Sequence, residues 1–71
     1  MSEITLDLDG RIVTVTKEKY IKAKTKDLRE FGYTNLTEEE VRVQLEKILK
    51  GEELDIIGMF MEKDIVKPSN Q

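Results

Sequence analysis

The sequence predicts an α+β fold, in which an N-terminal two-stranded antiparallel β-hairpin is followed by two to three α-helices packed on one face. Three observations carry this. Asp9-Gly10 stands between two alternating apolar segments, Thr37-Glu38-Glu39-Glu40 opens a helix, and 71 residues leave room for one core only.

The hairpin comes first. Asp9-Gly10 separates Ile4-Thr5-Leu6-Asp7-Leu8 from Arg11-Ile12-Val13-Thr14-Val15. A type I′ turn needs two residues at positive φ, and an Asp-Gly pair supplies them. A two-residue loop also sets the register: Leu8 faces Arg11, Asp7 faces Ile12, Leu6 faces Val13, Thr5 faces Thr14 and Ile4 faces Val15. Ile4, Leu6, Val13 and Val15 then share one face, with Thr5, Asp7 and Thr14 on the other.

Thr16 is placed to cap a helix from about Lys17 to Phe31, which Gly32 stops. Tyr20, Ile21, Leu28 and Phe31 recur at helical spacing, so the helix is expected to bury all four against the hairpin. Lys17 and Lys24 project from that same face, with stems long enough to pass the hairpin rim toward Asp7, Asp9 or solvent.

Leu36-Thr37-Glu38-Glu39-Glu40-Val41 marks the second helix. Thr37 and Glu40 form a capping box, and Leu36 and Val41 form its hydrophobic staple. Three glutamates in the first turn suit the positive end of the helix dipole. Val41, Leu45, Ile48 and Leu49 make the apolar stripe, and Gly51 ends the helix near Lys50. Glu38–Arg42 and Glu46–Lys50 are spaced as i, i+4 ion pairs.

Leu54-Asp55-Ile56-Ile57-Gly58-Met59-Phe60-Met61 fits two states. Leu54, Ile57, Met61 and Ile65 follow a helical stripe, whereas Gly58 costs a helix ~1 kcal/mol. A short helix is expected, with a third strand as the alternative. One domain is expected over residues 1–67, with a flexible polar tail at 68–71.

The chain has no cysteine and no histidine. That removes disulfides, thiolate metal sites, the commonest metal ligand and the usual acid–base group at neutral pH. Glu52, Glu53 and Asp55 lack the ligand spacing of a calcium loop, and there is no Gly-rich phosphate loop. No catalytic residue, metal or cofactor is therefore expected, and the chain does not read as an enzyme. No apolar run approaches the ~20 residues needed to span a bilayer. Met1-Ser2-Glu3-Ile4 carries no basic or apolar leader, and the lack of cysteine fits a reducing compartment. A soluble, cytoplasmic protein without membrane partners is the expectation.

The net charge is −3 but unevenly spread. Residues 11–31 hold seven bases against three acids, while residues 32–71 hold five bases against nine acids. Two surfaces are candidates for function. Met59, Phe60 and Met61 form an apolar block that can fill the core on one side and meet a protein partner or a second copy on the other. Lys19, Lys22, Lys26 and Arg29 form a basic stripe opposite the apolar face of the first helix, suited to nucleic-acid phosphates. A pI near 4.9 and the lack of interleaved aromatics weigh against that use. A helix-turn-helix over residues 37–65 is disfavoured because its second helix is apolar where a recognition helix is polar and basic.

The leading expectation is a small non-enzymatic protein–protein interaction or regulatory protein. Its size and its wealth of lysine and glutamate suit the small proteins of phages and mobile elements. The alternative is a nucleic-acid-binding accessory protein. A lone hairpin leaves two open edges, so a homodimer formed by edge pairing is also expected if the C-terminal segment adds no strand.

Overall fold

Asp9 and Gly10 take φ values of 58° and 88°, the two positive values a type I′ turn requires. The computed structural model describes residues 2–66, so the flexible tail expected at 68–71 lies outside the described residues. Strands β1 (Glu3–Leu8) and β2 (Arg11–Thr16) pair antiparallel in the expected register, from Leu8↔Arg11 to Ile4↔Val15. The Gly10 amide donates to Asp7 Oδ1 at 2.8 Å and fixes the turn. Ile4 and Leu6 are buried, while Val13 and Val15 are half-buried against the same core.

Helix α1 (Lys17–Phe31) starts where the Thr16 side chain accepts the Lys19 amide at 3.1 Å. Tyr20, Ile21 and Leu28 enter the core together with Thr25, whose hydroxyl donates to the Ile21 carbonyl at 2.6 Å. That bond lets a polar side chain lie buried without an unmet donor. Phe31 corrects the sequence expectation: it is 70% exposed. The buried stripe ends at Leu28, one turn earlier, and Gly32 and Tyr33 fold back so that the Tyr33 amide reaches the Leu28 carbonyl at 3.0 Å. Lys17 and Lys24 do not meet Asp7 or Asp9. Lys17 pairs with Glu46 at 3.1 Å and Lys24 with Asp64 at 2.6 Å, because later elements bring carboxylates closer to α1 than the hairpin does.

Helix α2 (Glu38–Lys50) has both arms of its capping box. The Thr37 amide donates to Glu40 Oε1 at 2.9 Å, and the Glu40 amide donates to Thr37 Oγ1 at 3.1 Å. Leu36 and Val41 are buried as the staple, followed by Leu45 and Ile48, with Leu49 partly buried. The ion pairs differ from the i, i+4 expectation. Arg42 grips both Glu18 carboxylate oxygens, and its Nε lies 3.7 Å from Glu39. Glu46 takes Lys17. A two-bond guanidinium–carboxylate fork across helices outcompetes a single-bond pair along one helix.

Helix α3 (Ile56–Glu62) resolves the ambiguous segment. The Asp55 side chain accepts the Ile57 and Gly58 amides, capping a short helix. The strand alternative survives only as a bridge beyond that helix. Leu6 pairs with Ile65, the Asp7 amide donates to the Asp64 carbonyl at 2.8 Å, and the Val66 amide donates to the Thr5 carbonyl at 2.9 Å. Gly58, the residue that argued against a helix, makes this one possible. A Cβ there would lie 2.5 Å from Gln44 Oε1 and 2.9 Å from Leu54 Cβ. Its absence lets α3 approach α2, where Gln44 Oε1 accepts the Asp55 amide at 3.3 Å. Ile57, Met61 and Ile65 complete a single apolar cluster shared by the hairpin and all three helices.

Candidate functional site

Three of the chain's four aromatic rings meet at one end of the molecule. Phe31 closes α1, Tyr33 follows the glycine that stops it, and Phe60 projects from α3. Phe31 and Phe60 meet edge-on at 5.7 Å, Tyr33 and Phe60 at 6.0 Å, and Phe31 and Tyr33 stack at 6.3 Å. Tyr33 and Phe60 pack against the core, which anchors the cluster. Ile56, 57% exposed, lies about one turn before Phe60 on α3, whereas Met59, equally exposed, lines a separate hollow with Leu54, Glu52 and Glu53. The outcome is an aromatic and aliphatic surface on a rigid base.

A groove of ≈ 420 Å³ adjoins this surface, with Tyr33, Leu36, Ile56 and Ile57 as its apolar lining and Glu40 at its edge. A smaller hollow of ≈ 190 Å³ continues past Leu36 and Ile57 to Val43, Glu39 and Asp55. The acidic rim has a local cause. Glu39 and Glu40 sit in the first turn of α2 and Asp55 caps α3, because helix starts recruit acceptors and negative charge. The groove runs beside both helix starts and so inherits their acids.

The structure divides the block Met59-Phe60-Met61. Met59 is exposed, Phe60 joins the ring cluster, and Met61 is fully buried in the core and unavailable to a partner. Residues two apart on a helix point nearly opposite ways, so the block could not present all three together. Phe31, Tyr33, Ile56 and Val43 were not foreseen as surface residues. Helical spacing assigns Phe31 to the buried face. The overlooked signal is the placing of two rings astride a helix-stopping glycine in a chain with only four.

The basic stripe is also only partly assembled. Lys19, Lys22 and Lys26 are exposed, and among the described residues none has an ion-pair partner within 4 Å. Arg29 is committed elsewhere: its Nε donates to the Leu36 carbonyl at 2.6 Å and ties the α1–α2 connection to α1.

Two charged clusters are structural. The Arg42 fork holds the Glu18 carboxyl below the usual carboxylate range and raises Arg42 further above neutrality. Burial, aided by Asp64 at 3.3 Å, pushes the Tyr20 phenol up, so it stays protonated as a donor to Asp64. Asp64 Oδ2 thus accepts from both Tyr20 and Lys24. Among the described residues, no three potential ligands from Asp, Glu, His and Cys gather as a metal site. No protein-family model, curated protein or solved structure matches this chain.

Proposed function

We propose that this chain is a small non-enzymatic protein-binding module of the cytoplasm. Its contact surface is formed by Phe31, Tyr33, Ile56 and Phe60. One observation carries the reading: Phe31 is 70% exposed while its ring is held by two anchored rings. Rigid aromatic groups on a surface are the type of anchor that dominates protein interfaces, since they bring large area at small entropic cost. The acidic rim of Glu39, Glu40 and Asp55 supports a basic partner. It fits a segment that buries apolar side chains in the groove and flanks them with lysine or arginine.

The test uses a synthetic amphipathic helix of leucine and lysine, with its leucine and glutamate counterpart as control. The lysine peptide is expected to bind and the glutamate peptide not to. Phe31→Ser and Ile56→Ser, which leave all charges in place, are each expected to weaken binding by about tenfold. Equal binding by wild type and both variants would reduce the contact to bulk charge and overturn the reading.

A second reading rests on the three unpaired lysines of α1. Lys19, Lys22 and Lys26 can meet nucleic-acid phosphates even without Arg29. Binding to nucleic acid that falls steeply with salt, and is lost in a Lys19→Glu, Lys22→Glu double variant, is the result that favours it.

A further inference from the structure

The two edges of the hairpin are treated differently. β1 is flanked on both sides, by β2 and by residues 64–66. β2 is therefore the open edge. The Asp7 amide and Thr5 carbonyl point away from β2, toward residues 64–66. Their partners in the register, Ile12 and Thr14, accordingly aim their own amides and carbonyls outward on the far side of β2. Among the described residues nothing receives them.

Edge strands are commonly guarded by a proline, a bulge or a central charge. β2 has none of these at Ile12, Val13 or Thr14, and Ile12 is 59% exposed. Charge stands only at its ends, with Arg11 as its first residue and Lys17 just after its last.

We propose that the open edge of β2 takes a second copy of this chain, antiparallel about a two-fold axis through Val13. In this register Ile12 of each copy lies opposite Thr14 of the other, and four backbone hydrogen bonds form. Ile12 gains a neighbour on the exposed face, and Val13 meets Val13 of the second copy. Charge is compatible with this register and rules out one of its two neighbours. Arg11 falls opposite Val15, and Lys17, which already holds Glu46 at 3.1 Å, comes near Asp9 in the turn of the other copy. A slip by two residues would set Arg11 against Lys17, a like-charge contact. The product is a continuous sheet with β2 strands at its centre, and the ring cluster stays free for a different partner.

Light scattering across a range of concentrations tests this, with amide exchange as a second readout. The wild type is expected at twice 8.3 kDa, with exchange at Ile12 and Thr14 slowing as concentration rises. Thr14→Pro removes an outward amide at an edge position that tolerates proline. Ile12→Lys places charge at the seam on an already exposed side chain. Both variants are expected to fold and to run at 8.3 kDa, whereas Phe31→Ser stays dimeric. A monomer at every concentration overturns the proposal. So does a dimer that Ile12→Lys leaves intact, which would move the contact to another surface, or β2 protection seen only with a foreign strand.

Discussion

The Asp64 carbonyl accepts the Asp7 amide at 2.8 Å while the Asp64 side chain receives Lys24 Nζ at 2.6 Å. One residue thus latches the chain beyond α3 to both the hairpin and α1. Tyr20 adds a third contact at 3.3 Å. Lys24 and Asp64 are mostly shielded from water, so their interaction is weakly screened.

Asp64→Ala should therefore cost more than an ordinary surface change. Losing a charged hydrogen bond of this kind is expected to destabilise by about 2 kcal/mol. For a domain of this size that lowers the thermal midpoint by roughly 10 °C. A midpoint within a degree of wild type would show that the latch contributes nothing.

Gly58→Ala separates helix propensity from packing. Propensity alone favours alanine by ~1 kcal/mol. The added Cβ, however, meets Gln44 and Leu54, and overpacking of this type costs about 1–3 kcal/mol. The variant is expected to unfold at lower urea than wild type, and an increase in stability would contradict the close approach of α2 and α3.

Val13→Lys and Thr14→Lys read the two faces of β2. Val13 packs against the core and Thr14 is exposed. Measured at a dilution where the chain is monomeric, the first change is expected to cost about 2 kcal/mol and the second no more than about 0.5 kcal/mol. Equal thermal midpoints would contradict the register.

Glu18→Gln tests the α1–α2 fork through pH. The folded state holds Glu18 below its ordinary pKa of 4.5, first through the hydrogen bond from Arg42. Its contribution is therefore full above the unfolded value and lost as pH falls through the lower folded value. Wild type should melt slightly higher than the variant at pH 7, and the gap should close in acid. A gap that persists at pH 2 would assign the effect to something other than this ionisation.

What was legible in the sequence was local. The Asp9-Gly10 turn, the Thr37–Glu40 box and the Thr16 cap are each decided within a few residues, so register and helix starts follow from the residues themselves. The partners of Arg42, Lys17 and Lys24 were not legible, because they depend on which elements come to lie side by side. Gly58 shows the same limit: its cost to a helix is visible in sequence, while the Gln44 contact that requires it belongs to tertiary packing. At the candidate surface, Phe60 belongs to the apolar block visible in the sequence, while Met61 of the same block turns into the core. Helical spacing places Phe31 on the core face, because periodicity says where a residue points along a helix but not where the core ends.

The contact surface itself is tested most directly by NMR. Backbone amide shifts would be followed while the leucine–lysine peptide is added to the wild type and to Phe31→Ser. The shifts are expected to cluster at residues 31–36 and 55–60 and to be lost in the variant. Shifts spread over acidic residues without that cluster, and unchanged in Phe31→Ser, would contradict the contact surface.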